Sequence, residues 1–259
     1  MQSTMSRNIP AAVLCALTLA VSTASSPSAQ AIEPIRYTLR FPAPHTHYVE
    51  VEASIPTAGR PEVEVYLATW TPGSYLIREY ERHVEAVTAA NGTAPLAVVK
   101  SRKNRWKITT LGARSVTLRY KVYSREMTVR NNWVEAGFAM LNGAPTFVTL
   151  PDGGKRPHEV RVELPAAWKG VQTPLMPVAG AATTFRADDF DTLIDSPIII
   201  GNPVVREFTV DGKKHALVLE GDTALFDADR AAADVKKIVE AGRNVMGPLL
   251  YPQIGRAHV

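Results

Sequence analysis

The 259-residue chain contains a single cysteine, and this scarcity restricts how the protein can be stabilised. Cys15 lies within an apolar stretch at residues 11–21 (AAVLCALTLAV), close to the N-terminus. If this stretch is cleaved off, the remaining chain has neither a disulfide partner nor a thiolate ligand for zinc. Stability must then come from a hydrophobic core, for which a composition of 46% hydrophobic residues is sufficient.

The sequence also lacks a hydrophobic run long enough to cross a membrane. Residues 11–21 are fewer than the roughly 20 apolar residues that a bilayer-spanning helix needs. Arg7 precedes them, and a run of small residues follows and ends in an Ala-Gln-Ala cleavage pattern. We therefore predict a secretory signal peptide at residues 1–31, cleavage after Ala31, and a periplasmic or secreted mature protein. No membrane anchor is expected, because the residues before Cys15 are not the small ones of a lipoprotein signal.

Charge of one sign is not concentrated enough to predict nucleic-acid binding. The formal net charge is +4, and basic residues are interleaved with acidic ones. The densest basic segment, residues 98–107 (VVKSRKNRWK), contains only Trp106 as an aromatic residue that could stack on a base. Its alternation around Trp106 is instead typical of a strand with one solvent-facing side.

The sequence patterns of several common active sites are absent. The chain has no His-Glu-x-x-His, no Gly-x-Ser-x-Gly nucleophile elbow and no glycine-rich phosphate loop. None of its histidines falls in a zinc-binding pattern, so no catalytic or metal-ligating residue is predicted. The histidines are His45, His47, His83, His158, His215 and His258.

Two weaker metal candidates remain open. His45 and His47 could place both imidazoles on one face of a strand, but no third ligand is evident and a simple edge pair is favoured. An acidic run could bind calcium, but it lacks the glycine-punctuated spacing of a calcium loop, so a solvated turn is favoured. Its residues are Asp188, Asp189, Asp191 and Asp195.

Short alternating segments dominate residues 32–205. Apolar residues occupy every second position in them, which buries one face of a strand and leaves the other in water. Turn pairs such as Asn91-Gly92 separate the segments. The pattern predicts a mainly β N-terminal domain, built as an antiparallel sandwich or as curved sheets. The clearest segments are residues 48–53, 62–67, 115–123 and 159–164.

A different pattern follows the β-rich part. Residues 207–210 and 215–219 are predicted to form a hairpin across an Asp-Gly turn, and a helix follows at about residues 227–246. Asp227 is a suitable N-cap, and a Gly-Pro pair ends the helix. Because a hairpin and one helix cannot bury a core of their own, residues 206–253 are predicted to be the truncated start of a second domain.

An incomplete second domain would leave one face of the helix uncovered. Val235, Ile238 and Val239 lie on this face at helical spacing, together with Val245 and Met246. Uncovered apolar patches promote association. We therefore expect the residues that follow the β-rich part to be poorly ordered or to cause aggregation.

The most distinctive segment is residues 70–84 (WTPGSYLIREYERHV). Pro72 presets the first corner of a turn, and Gly73 accepts the positive φ at the second. Trp70 and Tyr75 flank this turn as large groups that can be buried. We interpret the segment as a structural corner; a direct substrate contact is the alternative, because loops often carry function. Four charged residues could form an ion-pair network within it: Arg78, Glu79, Glu81 and Arg82.

This segment resembles part of a known family. WTPGSYLIREY, together with residues 193–198 (LIDSPI), is similar to the N-terminal portion of the PDZ-containing glycyl aminopeptidases, a family of zinc metallopeptidases. The similarity extends over almost all of residues 35–253, and these two segments are its most specific parts. The fingerprint residues, interpreted as structural, are Trp70, Pro72, Gly73, Tyr75, Arg78, Glu79, Asp195 and Pro197.

The resemblance implies a β-rich N-terminal domain, a thermolysin-like zinc domain and a C-terminal PDZ module. The family's zinc domain removes small N-terminal residues, glycine especially, from peptides, with His-Glu-x-x-His holding the metal. Residues 206–253 would then be the truncated start of that thermolysin-like α/β catalytic domain. We expect the chain to be a non-catalytic fragment without a cofactor of its own. Zinc binding and peptide cleavage are expected only in the full-length enzyme, where the catalytic domain packs on this chain.

Two other hypotheses remain open. One is a free-standing periplasmic β-sandwich that binds a ligand or a protein, although such a sandwich has no use for a helix at its edge. The other is a native but inactive homologue. Residues 254–259 (IGRAHV) resemble a translated sequencing adapter, so this tail is expected to be non-native.

Overall fold

The computed structural model describes residues 32–71, 76–152 and 154–249. The predicted signal peptide, the predicted non-native tail and three fingerprint residues (Pro72, Gly73 and Tyr75) lie outside the described residues. Within them strands predominate and most strand pairs are antiparallel, which confirms the prediction of a mainly β protein.

The described residues form strands β1–β18, three α-helices and three 3-10 turns. The strands are β1 (Ile35–Arg40), β2 (Tyr48–Pro56), β3 (Glu62–Leu67), β4 (Val84–Asn91), β5 (Ala94–Leu96), β6 (Val98–Arg102), β7 (Arg105–Thr109), β8 (Ser115–Tyr123), β9 (Trp133–Val134), β10 (Ala139–Leu141), β11 (Val148–Thr149), β12 (His158–Val162), β13 (Gly170–Gln172), β14 (Met176–Pro177), β15 (Thr184–Ala187), β16 (Ile198–Gly201), β17 (Val204–Val210) and β18 (Lys213–Leu219). The helices are α1 (Gly143–Thr146), α2 (Phe190–Ile194) and α3 (Ala228–Met246), and the 3-10 turns are Pro44–Thr46, Tyr80–His83 and Thr223–Leu225. None of the helices in the described residues is long and apolar enough to cross a membrane.

The largest sheet has eight strands in the order β14-β15-β12-β1-β2-β8-β4-β5. Its neighbouring strands are antiparallel except for β1 and β12, which run parallel. β2 and β8 alternate as predicted, with Val51 opposite Tyr120 on the buried face and Glu52 opposite Arg119 on the outer face. The Arg119–Glu52 ion pair of 2.8 Å is largely solvated, so the core and not this pair supplies most of the stability.

Two four-stranded sheets, β11-β3-β7-β6 and β13-β16-β10-β9, share one hydrophobic core with the large sheet. Two buried tyrosines of the large sheet reach across this core. The Tyr37 hydroxyl donates to the Val148 carbonyl at 2.7 Å, and the Tyr120 hydroxyl donates to the Thr146 carbonyl at 2.8 Å. These bonds satisfy polar groups that would otherwise be costly to bury, and they connect the large sheet to α1 and β11.

Helices α1 and α2 pack closely together at Gly143. A Cβ atom at this position would lie 2.4 Å from the Leu193 carbonyl oxygen and 2.6 Å from the Ile194 Cα, so only glycine fits without a shift. Asp189 caps α2 by accepting a hydrogen bond from the Thr192 N–H at 2.7 Å. The second fingerprint segment, which begins in α2, is therefore held against α1.

The predicted hairpin and helix are present as β17, β18 and α3. β17 begins at Val204, before the predicted boundary at residue 206, and α3 packs on the β17–β18 hairpin. Asp227 is the N-cap, as predicted, and accepts a hydrogen bond from the Arg230 N–H at 3.0 Å. The division of the chain at residue 206 and the poor order of the residues that follow stay predictions.

Only part of the apolar face of α3 is uncovered. Ile238 is 69% exposed, and Val245 and Met246 are exposed as well. Val235 and Val239 are half-buried, which differs from the predicted exposure. The difference arises because α3 uses its own hairpin as a packing surface.

Candidate functional site

The motif of residues 70–84 follows β3 and leads into β4. The backbone N–H of Arg78 donates to the Thr69 carbonyl at 2.7 Å and thereby joins the two ends of the loop. Trp70 is 51% exposed, whereas the sequence favours its burial, and Ile77 is 66% exposed. The described part of the motif therefore presents apolar side chains to solvent beside a tightly held backbone.

A depression of about 240 Å³ lies beside the motif, and we call it the arginine depression. Its lining combines residues of the motif with residues of the segment that follows β8. Since these parts are distant in sequence, spacing arguments could identify only the motif side. The lining residues are Ile77, Arg78, Glu79, Tyr80, Arg82, His83, Glu126 and Asn131.

Both carboxylates of the arginine depression are engaged. Glu126 accepts a hydrogen bond from Arg82 Nη2 at 2.9 Å through one oxygen and from the Asn131 amide through the other. Glu79 pairs with Lys103, in the turn between β6 and β7. The predicted ion-pair network within the motif is therefore not formed among the described residues. The charges of the motif pair with other segments instead.

His83 adds no charge to the arginine depression at neutral pH. Burial, together with the neighbouring Arg82, lowers the pKa of its imidazole below the ordinary value. Its Nε2 accepts a hydrogen bond from Arg82 Nε at 3.0 Å, so the proton of the neutral ring lies on Nδ1.

Two donors of the arginine depression have no hydrogen-bond partner in the described part of the chain. They are Arg78 Nε and the Tyr80 hydroxyl, and both atoms are buried. Tyr80 is 2% exposed, and burial raises the pKa of its phenol, an effect that Arg78 and Arg130 oppose. Buried donors are normally paired, and an unpaired one costs about 1–3 kcal/mol. The arginine depression therefore has donor capacity that an acceptor could use.

A second depression, of about 360 Å³, lies between the two fingerprint segments. Trp70 lines it from the first segment, and Phe190 and Ile194 line it from α2. The Arg105 guanidinium also lines it and lies 5.2 Å from the centroid of the Tyr66 ring, a cation–π arrangement. The sequence indicates both segments but not their proximity, because the packing that joins them is not local.

Asp195 and Pro197, the fingerprint residues of the second segment, lie between α2 and β16. Asp195 ends α2, and its backbone N–H donates to the Asp191 carbonyl at 3.0 Å. Pro197 directly precedes β16, where the missing N–H removes no bond from the strand interior. These positions fit the structural interpretation of both residues, which stays a prediction.

The two metal candidates have other roles in the described residues. His45 lies in a 3-10 turn and His47 follows it with a φ of 65°, so the two imidazoles do not share a strand face, the arrangement that their spacing left open. His47 Nδ1 lies 2.6 Å from the Val134 carbonyl oxygen, and Asp189 caps α2. In the ranges that the structure describes, no group of three or more histidines, cysteines, aspartates or glutamates could hold a metal ion.

Comparisons with known proteins identify relatives of this chain. Residues 36–202 match the family model described as the Peptidase M61 N-terminal domain. The solved structure of an aminopeptidase N family protein from Idiomarina loihiensis is similar, with a TM-score of 0.74 and 29% identity over 85% of this chain; the chain spans 38% of that protein. An M1 zinc metallopeptidase mutant from Deinococcus radiodurans has a TM-score of 0.49 and 13% identity, over 88% of this chain and 56% of its own. No curated protein matches.

Proposed function

Since the chain belongs to the peptidase M61 N-terminal domain family, whose model matches residues 36–202, we propose that it is the non-catalytic N-terminal part of an exported zinc aminopeptidase. In the whole protein, a further domain would release small N-terminal residues, glycine especially, from peptides. The family match is the observation that carries this proposal. The glycine preference comes from the PDZ-containing glycyl aminopeptidases, which the motif resembles.

The catalytic zinc would belong to the further domain. Hydrolysis of a peptide by zinc needs two histidines one helical turn apart, a third ligand and a glutamate base. The 259 residues contain no His-Glu-x-x-His. This chain would therefore contribute walls and positioning to the peptide cleft and leave the bond-breaking chemistry to the other domain.

Two exposed apolar surfaces give the further domain places to pack. Leu76 and Ile77 expose most of their side chains beside the motif, and Ile238, Val245 and Met246 do so on α3. Burying an aliphatic side chain of this size contributes about 1.5–3 kcal/mol, so covering either surface would stabilise the assembly. We propose that the remainder of the zinc domain, whose start is residues 206–253, covers both, with the motif surface nearer to the peptide cleft.

The test compares this chain with the longer protein encoded by the same reading frame. Glycine release from glycyl-p-nitroanilide is measured with added zinc and again after chelation. We expect zinc-dependent release by the longer protein and none by the 259-residue chain. Zinc-dependent release by the chain alone would refute the proposal. A reading frame that continues without His-Glu-x-x-His would support a free-standing binding module or an inactive homologue instead.

A further inference from the structure

We propose that the arginine depression is a recognition site for a carboxylate, and that it receives the C-terminal carboxylate of a short peptide. That the ligand is a peptide rests on the proposed function, whereas recognition of the carboxylate rests on the depression itself. Unpaired donors, a guanidinium without an ion-pair partner and a small volume together indicate this ligand.

The unpaired donors match the shape of a carboxylate. Arg78 offers a planar fork of N–H groups, which binds the two oxygens of a carboxylate side by side. The Tyr80 hydroxyl provides a further donor in the same lining. A neutral carbonyl has one oxygen and would leave part of this donor set unsatisfied. The ligand should therefore carry two equivalent acceptor oxygens.

The unpaired guanidinium of Arg78 in the depression favours an anion. Arg78 and Arg130 form no ion pair in the described part of the chain, and both act on the Tyr80 hydroxyl electrostatically. Glu126 cannot turn to Arg78 without releasing the Asn131 amide or its own arginine partner. The second carboxylate in the lining is already held by a lysine, and the histidine is neutral. One negative charge from a ligand would pair with Arg78, the arginine of the lining that has no ion-pair partner in the described part of the chain.

The volume of the depression limits the size of the ligand. About 240 Å³ is below the roughly 300–1,000 Å³ of pockets for drug-sized molecules, so the site has room for the end of a chain. Ile77, 66% exposed, gives the depression an apolar wall for a small terminal side chain. A phosphate group would bring a second negative charge towards Glu79 and Glu126, which disfavours it relative to a carboxylate.

Binding of three tripeptides to the full 259-residue chain tests the proposal. Triglycine has a free C-terminal carboxylate, triglycinamide has none, and Gly-Asp-Gly amide carries only a side-chain carboxylate. Isothermal titration should show saturable binding of triglycine and at least about tenfold weaker binding of triglycinamide, because charge-assisted bonds are lost. Weak binding of Gly-Asp-Gly amide supports the C-terminal source. If Gly-Asp-Gly amide binds as tightly as triglycine, the depression recognises a carboxylate, but the proposal that this carboxylate is a peptide C-terminus is overturned.

Variants then locate the binding site. Arg78→Gln should weaken triglycine binding by about tenfold or more, and Tyr80→Phe, which removes only a hydroxyl, by about threefold to tenfold. Arg161→Gln is the matched control, because this exposed arginine of β12 pairs with Glu163 away from the motif. If the Arg78→Gln variant does not fold, triglycine binding by the Tyr80→Phe variant still tests the proposal. Equal affinity for acid and amide, or unchanged triglycine binding by both variants, would overturn the proposal. Peptide cleavage is not measured, so this result is independent of the aminopeptidase assignment.

Discussion

Acidification should destabilise this protein through one buried histidine, His158. Its side chain is fully buried in β12, with Nε2 3.0 Å from Thr149 Oγ1. Nδ1 has no hydrogen bond of normal geometry in the described part of the chain, although the backbone of Arg156 lies close enough to raise the pKa slightly. Burial lowers the pKa of this imidazole from 6.5 to about 4, and the charges of Asp152 and Asp189 oppose the effect only partly. The ring is therefore neutral in the folded protein at physiological pH.

The direction of the pH effect follows from which state binds the proton. In the unfolded chain the imidazole is protonated as the pH falls below about 6.5. In the folded protein His158 resists protonation until about pH 4. Stability is therefore lost in this window at about 1.4 kcal/mol per pH unit, as the unfolded state binds more protons. The total loss from 6.5 to about 4 is about 3 kcal/mol.

Urea unfolding of the wild-type chain and of His158→Gln, between pH ~7 and pH ~4, measures this loss. Near neutral pH the variant should be less stable, because the ring stacks on Tyr37 with centroids 6.0 Å apart. The stability gap should narrow by about 3 kcal/mol towards pH ~4, since glutamine takes up no proton and carboxylate effects common to both proteins cancel. The control His45→Gln, at an exposed position, should leave the pH dependence unchanged. A gap that stays constant or widens would refute the reasoning.

Three further predictions concern packing, association and export. Gly143→Ala should destabilise the fold by about 1–3 kcal/mol in urea unfolding, because the new Cβ meets the Leu193 carbonyl. Gly137→Ala, where a Cβ meets nothing within 4 Å, is the control, and equal effects would contradict the packing argument. Ile238→Ser should reduce self-association in sedimentation velocity, and unchanged association would show that α3 is not the contact surface. Expression in a Gram-negative host should yield a periplasmic protein whose N-terminal sequence begins at Ile32; retention of the preceding residues would contradict export.

The strands that could be predicted from the sequence are those with one solvent-exposed face. β2 and β8 alternate because their outer sides face water, and that contrast is visible in the sequence. β16 is different. Ile198, Ile199 and Ile200 are all buried, so polar and apolar residues do not alternate along this strand. The parallel pairing of β1 with β12 was also beyond prediction, since it depends on which distant strands share the core.

The candidate site shows the same division between local and non-local information. The sequence marks residues 70–84 through their unusual order, and a helix N-cap such as Asp227 follows from local rules. The ion-pair partners of the motif's charged residues do not follow from local rules. Glu79 could pair with arginines near it in sequence but pairs with Lys103, because the β6–β7 turn reaches the motif in the fold. Ion-pair partners on a surface depend on tertiary proximity, which spacing alone does not contain.

A structural corner and a binding site are compatible interpretations of this motif. The N–H of Arg78 holds the loop through Thr69, while the guanidinium of the same residue lines the depression. Lys103 draws Glu79 away from Arg78, and Arg82 occupies Glu126. These two exposed ion pairs therefore leave Arg78 without a carboxylate. Replacing Lys103 or Arg82 by a neutral residue would release a carboxylate of the lining from its ion pair, and this carboxylate would compete with a ligand for the unpaired guanidinium.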